Sequence, residues 1–569
     1  MKYAVIDIET TGLDRYKDMI NYVGVGLAES IQEPLKSYNI YEIPYETGHL
    51  LRLMGNIRSQ KSRTVFQNGK FDTLFMERHL KLKLPIHYDV MLLGTAYDLS
   101  VPHGLKDMAQ RYLGVENWDV GKKLKLEKSE QVVEYLKLDL RYTWELFQYF
   151  HKRMNPDQWK SYHKILRPAY LMYRQAESDG IYLDQESLKI TQQRYKKEAD
   201  AKLQVLNDQH PINWNSPKQV SDLLFNQLNF PTIKLSQKTG SPSADAKVLK
   251  RLRAKGFTLA EQLMDYKFYY GANSKFLNAW PKYIRHDGRI HPTFHLTNVV
   301  TGRTSCSDPN LQQVPRKPEL RGLFTAPPHR ALIEVDYSQI ELRIAAEYAN
   351  ERNMLKIYHE GGDIHTLTAQ SITGLSAAQV KGEYRTRAKA VNFGFLYGMA
   401  AKGFVNYAFD SYDTVVSLAE AERYRQLFFH KYPNLLKWHK NMEILCESLG
   451  GIANMFGRFR PIPDIYNQDQ YLRGKAIRQA INTPVQSTAN DLLLLAAVEI
   501  SKKLRSKYDL KIVGTIHDSI LIDLPKEYVE QASKEIREIM IRPEVLEHFD
   551  IQLKVPLDVE ISVGAWGVK

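Results

Sequence analysis

The stretch ALIEVDYSQIELR, residues 331–343, decides the fold of most of this chain. Its apolar, β-branched first half predicts a buried strand, and its second half predicts a helix. Asp336 ends the strand. A second acid, Asp518, lies at the polar tip of a hairpin predicted by KIVGTIHDSILIDL, residues 511–524. If the strands adjoin, both carboxylates can hold a pair of divalent ions about 3.5–4 Å apart, as two-metal phosphoryl transfer requires.

A stripe of cations and aromatic rings lies between these two acids in the sequence. In RTRAKAVNFGFLYG, residues 385–398, the side chains of Arg385, Lys389, Phe393 and Tyr397 recur every four residues. Steps of four residues drift by only about 40° around a helix, so these side chains share one face. The pattern suits a nucleoside triphosphate, with charge for the phosphates and rings for the base. A structural amphipathic helix with snorkelling cations is the alternative.

Four acids and a tyrosine are spread over the first 150 residues. Asp7 and Glu9 stand two apart on a strand predicted at 2–8, so they face the same side. Asp72 follows a second apolar stretch, and Asp139 comes one helical turn after Tyr135 on a helix predicted at about 128–150. Carboxylate oxygens are the ligands of hard divalent ions. The set favours two-metal phosphodiester hydrolysis, with Tyr135 orienting the water; taken singly, an exposed strand end and a half-buried tyrosine are the alternatives.

The composition favours a polyanionic partner and excludes some classes of protein. The net charge is +13, and residues 1–155 carry 22 Lys and Arg against 20 Asp and Glu, so most of the excess lies beyond them. A basic soluble surface is the alternative. No apolar run is long enough for a signal peptide or a membrane helix. Cys306 and Cys446 make neither a disulfide framework nor a zinc site, which predicts a reducing, cytoplasmic location.

Several motifs together resemble known families. DYSQIELR, R-x₃-K-x₃-F-G-x₂-Y-G and I-H-D resemble motifs A, B and C of family A DNA polymerases, in that family's order. Supporting segments are residues 301–303, 308–312, 363–365 and 478–486, with 215–217 and 238–242 in the thumb region. The acids of the first 150 residues resemble the tyrosine-type DEDD exonucleases. The layout is similar to the large (Klenow-type) fragment of bacterial DNA polymerase I, and its compactness resembles phage-encoded replicative polymerases.

The resemblance implies a multi-domain fold of mixed α/β and α+β class. An RNase H-like 3′–5′ exonuclease domain would occupy residues 1–155, with no 5′-nuclease domain before it. A right-hand polymerase domain would occupy 156–569. Its thumb would lie at about 165–295, its palm at about 296–345 and 476–569, and its fingers at about 346–475.

The resemblance also implies a role for each matching residue. The metal ligands would be Asp7, Glu9, Asp72 and Asp139 in the exonuclease, with Tyr135 aligning the nucleophile, and Asp336, Asp518 and the Tyr337 carbonyl in the polymerase. The nucleotide would be held by Arg385, Lys389 and His365, stacked on Phe393, bounded by Tyr397 on the template side, and selected against ribose by Glu341. The minor groove and primer terminus would be contacted by Arg303, Arg478, Asn482, Gln486 and His517.

The implied cofactors are two Mg²⁺ ions per active site, with Mn²⁺ as an alternative. The implied partners are primer–template DNA, dNTPs and other replisome proteins, and the implied state is a monomer. If the protein is phage-encoded, it would act in the host cytoplasm.

Two positions depart from the family pattern. Motif C usually ends in two acids, but here Ser519 follows Asp518, and a hydroxyl binds Mg²⁺ far less well than a carboxylate. Phe393 stands where some relatives carry tyrosine, which predicts strong rejection of dideoxynucleotides. Because of Ser519, a 3′–5′ exonuclease with a degenerate polymerase module is the main alternative function. A single-subunit RNA polymerase, which Glu341 disfavours, and a non-catalytic nucleic-acid-binding protein are the others.

Overall fold

The computed structural model describes residues 2–118 and 129–568. Its N-terminal region is built on a five-stranded sheet of order β3-β2-β1-β4-β5, in which β1 pairs antiparallel with β2 and parallel with β4. The strands are β1 (Tyr3–Thr10), β2 (Ile20–Ala28), β3 (Ser37–Glu42), β4 (Arg63–Phe66) and β5 (Tyr88–Asp89). The helices are α1 (Thr47–Ser59), α2 (Gly69–Leu80), α3 (Val90–Tyr97), α4 (Leu105–Leu113) and α5 (Ser129–Arg153). The helix predicted at 128–150 is α5, and residue 128 itself lies outside the described residues.

Helix α5 packs directly on the sheet because β2 carries a glycine beneath it. A Cβ at Gly24 would lie 2.8 Å from the Leu136 side chain, so only glycine allows this approach. Leu140, Trp144 and Phe147 continue the buried face of α5. The apolar periodicity of the helix therefore fixes its rotation, which turns Asp139 toward the acids of β1.

The next region is mainly helical and has a core of its own. Its elements are α6 (Pro156–Ser161), α7 (Arg167–Asp179), β6 (Ile181–Leu183), α8 (Gln185–Gln209), α9 (Pro217–Ser221), α10 (Ala246–Ala254) and α11 (Thr258–Ala272), with π-helical turns at Tyr162–Leu166, Asp222–Gln227 and Asn273–Leu277. Leu206, Trp214 and Leu263 belong to a hydrophobic cluster separate from the main core. This region forms most of the predicted thumb.

An antiparallel sheet of order β14-β15-β11-β16 lies at the centre of the C-terminal region. Short strands precede it: β7 (Arg289–Ile290), β8 (Thr293–His295), β9 (Ser305–Ser307) and, after helix α12 (Pro318–Arg321), β10 (Phe324–Thr325). The four main strands are β11 (Arg330–Tyr337), β14 (Lys511–Ile516), β15 (Ser519–Pro525) and β16 (Val559–Val563). The predicted strand at 331–336 and the predicted hairpin at 511–524 are thus neighbours in one sheet.

The segment between the two halves of this sheet is helical. It contains α13 (Ile340–Ala349), α14 (Arg352–His359), α15 (Ile364–Thr373), α16 (Gly382–Leu396), α17 (Ala401–Tyr412), α18 (Leu418–Lys431), α19 (Pro433–Leu449), the strand pair β12 (Gly451–Ala453) and β13 (Phe459–Pro461), and α20 (Gln470–Tyr508); α21 (Val529–Ile541) follows the hairpin. Within the described ranges, no helix is both long and apolar enough to cross a membrane.

The predicted thumb and fingers touch through a cluster of ion pairs between α10 and α17. Arg251 lies 3.1 Å from the Asp410 carboxylate and also donates to Asn406. Lys250 lies 3.0 Å from Asp413 and donates to the Asp410 carbonyl. The contact connects two regions that flank the central sheet.

A buried ion pair joins the N-terminal region to the remainder. Lys70, on α2, pairs with Glu177 of α7, and their side chains are 5% and 2% exposed. Lys70 also donates to the Phe294 carbonyl at 2.5 Å, and Glu177 accepts from the Phe294 N–H at 2.8 Å. Since α2 also carries Asp72, this junction helps to fix one of the predicted metal ligands.

Candidate active sites

The structure brings the N-terminal acids together around β1, the central strand of the first sheet. Asp7, Glu9 and Asp139 offer carboxylate oxygens that all lie within 4.8 Å of one another. Asp72 reaches the same place from α2, where it accepts a hydrogen bond of 3.1 Å from the Ile8 N–H. Burial and the neighbouring carboxylates raise the pKa of Asp7 well above its usual value, and burial raises that of Glu9 to about 7. Such repulsion is relieved by a cation, so the donor set fits a divalent metal.

Tyr135 and Asp139 are connected by a lysine that the sequence did not indicate. Lys106 donates to both carboxylate oxygens of Asp139 at 2.7 Å and to the Tyr135 hydroxyl at 2.8 Å. Trp118 donates to the same carboxylate at 2.6 Å. Lys106 lies on α4, far from the other site residues in sequence, and nothing in the pattern of that amphipathic helix separates it from an ordinary surface lysine.

The second pair of acids meets where β11 and β15 run side by side. The Tyr337 N–H donates to the Asp518 carbonyl at 3.1 Å, and Asp336 pairs with Ser519 in the sheet register. Directly paired residues of neighbouring strands have Cα atoms only about 4.5–5.5 Å apart. Burial raises the pKa of Asp518, against the opposing charges of two arginines. The Tyr337 side chain is buried and donates to the Met540 carbonyl, which leaves its backbone at the site.

Ser519, which stands where motif C usually has its second acid, is engaged within the sheet. Its side chain is buried, and its hydroxyl donates to the Ile516 carbonyl at 3.0 Å and lies 3.3 Å from Glu334. On the other side of Asp336, the register of β16 places Glu560 directly opposite. Residues paired in this way share one face of the sheet. The strand register singles out Glu560, which stands two residues after Asp558 in a stretch that resembles no motif of the family.

The stripe of α16 forms a partly exposed face, with Ala388, Val391 and Phe395 buried behind it. Arg385 donates to Asp363 at 2.7 Å, so this cation is already oriented by the start of α15. Burial lowers the pKa of Lys389, and the nearby charge of Arg385 lowers it further, whereas Asp363 acts in the opposite direction.

His365 faces the same stripe and is held by a residue that sequence reasoning missed. Asn392 lies 2.9 Å from the Nδ1 of His365, and the Asn392 carbonyl oxygen accepts from Thr368. The amide NH₂ can only donate, so Nδ1 accepts and the ring proton belongs on Nε2. Burial lowers the pKa of His365 to about 4, so the ring is neutral at pH 7. Its ring centre lies 6.1 Å from that of Phe393.

Glu341 joins three of the predicted segments. Its carboxylate accepts hydrogen bonds from both Arg303 and the Tyr397 hydroxyl. Burial, together with the nearby charge of Asp518, raises the pKa of Glu341 to about 8. Arg303, which is predicted to contact DNA, is bound to Glu341 in this structure. The neighbouring residue Gly302 is held to α20 by Asn490, which donates to the Gly302 carbonyl at 2.8 Å.

The remaining predicted DNA contacts lie on α20 and at the hairpin tip. Arg478 is exposed and Asn482 and Gln486 are half-exposed, at the four-residue spacing that puts them on one helix face. His517 is exposed at the turn, where its φ of 56° lies in the left-handed region. His517 directly precedes Asp518 in the chain, and the three α20 residues are accessible to a ligand.

The two acidic sites, one on each sheet, fit an enzyme class that handles phosphodiesters with divalent metals. A family model described as "3'-5' exonuclease" matches residues 1–155, and one described as "DNA polymerase family A" matches residues 182–567. The chain belongs to DNA polymerase family A. The predicted family and fold class are confirmed, whereas the finer domain limits and the individual roles of site residues stay predictions.

Relatives of known name agree with this assignment. The chain is 31% identical over 494 residues to "DNA polymerase I, thermostable" of Thermus thermophilus, covering 84% of this chain and 54% of that protein. It is 29% identical to "DNA polymerase I" of Pseudomonas aeruginosa, covering 98% of this chain and 62% of the relative. The chain thus spans somewhat over half the length of these relatives.

One solved structure shares the whole fold. It is the "POL domain of Pol1 from M. smegmatis complex with DNA primer-template and dNTP", with a TM-score of 0.85 and 21% identity. The match covers 99% of this chain and 95% of that one.

Proposed function

We propose that this protein is a template-directed DNA polymerase that adds dNTPs to a primer 3′ end and proofreads with a 3′–5′ exonuclease. The observation that carries the proposal is the hydrogen bond between the Tyr337 N–H and the Asp518 carbonyl, because it joins the two strand ends that bear Asp336 and Asp518. Family A membership supports the reaction class, and the acids of the N-terminal sheet support the second activity.

Asp336 and Asp518 would hold the polymerase metals, and Asp7, Glu9, Asp72 and Asp139 would hold those of the exonuclease. Family A enzymes of this kind depend on divalent metals; we propose two Mg²⁺ per site, which Mn²⁺ can replace. The ions supply activation of the attacking oxygen and charge stabilisation of the leaving group. The all-oxygen donor sets support this choice of metal.

The residues of α15 and α16 would bind and orient the triphosphate. Arg385 and Lys389 bring two positive charges, and His365, neutral, donates from Nε2 without adding a third. Phe393 offers a ring for the incoming base and sugar. Glu341, held from both sides by Arg303 and Tyr397, would leave no room for a 2′-hydroxyl.

DNA would lie across Arg478, Asn482, Gln486 and His517, and a frayed primer end would pass to the N-terminal site. Minor-groove acceptors are shared by all Watson–Crick pairs, so such contacts test the shape of a pair. We propose a monomer acting on primer–template DNA, with other replisome proteins as further partners. The two buried free cysteines support a reducing, cytoplasmic location.

Primer extension and primer degradation, measured with labelled primer–template and Mg²⁺ with or without dNTPs, test both activities. Asp336→Ala should abolish extension but keep degradation, whereas Asp7→Ala should keep extension, lose degradation and raise the error rate. Glu530→Ala, a change at an exposed helix surface, is the matched control and should behave as the unaltered protein.

Degradation without any extension by the unaltered protein would favour the alternative, an exonuclease with a degenerate polymerase module, for which Ser519 is the motivation. Ribonucleotide incorporation at rates matching dNTPs would instead favour an RNA polymerase. Unchanged fidelity in Asp7→Ala would show that the N-terminal site does not proofread.

A further inference from the structure

Among the residues that the structure describes, Lys106 is a cation in direct contact with the N-terminal site. Its three hydrogen bonds all go to predicted exonuclease residues: two to the Asp139 carboxylate and one to the Tyr135 hydroxyl. Its side chain is 20% exposed and that of Asp139 is 9% exposed, so the pair is largely shielded from water. The ammonium also lies 4.5 Å from the ring centre of Tyr135 and 5.1 Å from that of Trp118.

We infer that Lys106 is a positioning residue of the exonuclease site: it fixes the Tyr135 hydroxyl relative to Asp139 and competes with a divalent ion for that carboxylate. The inference rests on the proposed exonuclease function. It assigns to one side chain two effects of opposite sign, because Lys106 opposes metal binding while it organises the residues that act on the water.

The orientation of Tyr135 follows from the chemistry of an ammonium group. A protonated lysine has three N–H donors and no acceptor, so the phenol oxygen must accept from Lys106. The phenol O–H is then free to point away from Lys106. With Lys106 also bonded to Asp139, the spacing between phenol and carboxylate is set by a shared partner as well as by the helix.

The competition with metal follows from charge. Burial and the other carboxylates raise the pKa of Asp7, and Lys106 acts in the opposite direction there and at Glu9, so its charge acts on these two acids as well as on Asp139. A divalent ion that binds Asp139 must tolerate this ammonium or displace it. Removing the positive charge should therefore strengthen metal binding, whereas removing an ordinary structural lysine would loosen the site and weaken it.

Three variants separate these cases in a protein that also carries Asp336→Ala and Asp518→Ala, so that bound metal reports on the N-terminal site. Lys106→Met removes the charge, and Lys106→Arg retains it. Lys137→Met, on α5, removes a half-exposed lysine that pairs with Glu134 and serves as the matched control. Mn²⁺ affinity is measured by electron paramagnetic resonance, and exonuclease kcat and KM are measured on single-stranded DNA.

Lys106→Met should bind Mn²⁺ about fivefold or more tightly, as expected for one unit charge about 4 Å away. Its exonuclease kcat should fall by about 10–100-fold, the usual effect of losing a residue that orients a metal ligand, with KM unchanged. Lys106→Arg should restore most of kcat and the weaker Mn²⁺ binding, and Lys137→Met should change neither.

Unchanged or weaker Mn²⁺ binding in Lys106→Met would overturn the inference, as would an unchanged kcat. These outcomes are distinct from failure of the proposed function. If the protein without the lysine changes degrades no DNA, the exonuclease assignment fails whatever the Mn²⁺ affinities are.

Discussion

The buried ion pair between Lys70 and Glu177 should be a main contributor to the attachment of the N-terminal region. Lys70→Met would leave the Glu177 carboxylate, 2% exposed, without its cation in a site that water barely reaches. Removing one partner of a buried pair typically costs about 3–5 kcal/mol, because the remaining charge stays desolvated. A loss of 1 kcal/mol lowers the midpoint of thermal unfolding by about 2–4 °C for a region of this size. The unfolding midpoint of the N-terminal region should therefore fall by roughly 6–20 °C.

A double-mutant cycle measured by thermal unfolding would test the size of this effect. Lys70→Met and Glu177→Met should each be strongly destabilising, and the double variant should be far less so than their sum, because no unpaired charge remains. Lys83→Met is the control: Lys83 pairs with Glu77 at the surface with 78% of its side chain exposed, and should cost less than about 1 kcal/mol.

The exonuclease should be more sensitive than the polymerase in Lys70→Met, since Lys70 and Asp72 share the first turn of α2. If the free energy of unfolding of the Lys70→Met protein is within about 1 kcal/mol of that of the unaltered protein, this reasoning is refuted. A double variant as unstable as the two single changes combined would refute it as well.

Four further outcomes are expected. Glu560→Gln, opposite Asp336 in the sheet, should slow polymerisation by about 10–100-fold and spare the exonuclease; equal extension rates would exclude a role for this acid. Asp410→Lys should replace the attraction between Asp410 and Arg251 by repulsion, so that the products made per binding event in a trap assay become shorter. The difference in product length from the unaltered protein should shrink at high salt, where the charges are screened. An identical product distribution at low salt would contradict this. Burial lowers the pKa of His439 to about 4, below its unfolded value of about 6.5, so the unfolded chain binds more protons between these pH values. The free energy of unfolding should therefore fall by up to about 3 kcal/mol as the pH drops from 6.5 to 4. In His439→Gln this dependence of stability on pH should be weaker. Phe393→Tyr should incorporate dideoxynucleotides better than the parent in primer extension, because its phenol would replace the missing 3′-hydroxyl contact; equal discrimination would contradict the strong rejection predicted for Phe393.

Local patterns made much of this fold predictable from the sequence. A polar tip between two apolar runs predicted the hairpin of β14 and β15, and an acid ending a buried strand predicted the position of Asp336. The four-residue spacing on α16 predicted a shared face because helix geometry alone fixes it.

The parts that escaped prediction depend on contacts between distant segments. Lys106 meets Asp139 only because α4 and α5 pack together, and Asn392 meets His365 only because α15 lies beside α16. Glu560 becomes notable through the register of β16 against β11, which no short sequence window contains. The burial of Ser519 could not be predicted either, because it depends on the pairing of β15 with β11.

The two cysteines offer a practical consequence. Both are buried, and burial raises the thiol pKa of Cys306 to about 12 and that of Cys446 to about 11, so neither forms the reactive thiolate near neutral pH. Cysteines introduced at Arg251 and Asn406 could therefore be joined selectively by a thiol-specific crosslinker, which would turn the contact between α10 and α17 into a covalent link. If DNA passes between these two regions in the proposed polymerase, a protein sealed before it meets DNA could thread onto a linear template but not onto a closed circle, and one sealed afterwards could not slide off a circle.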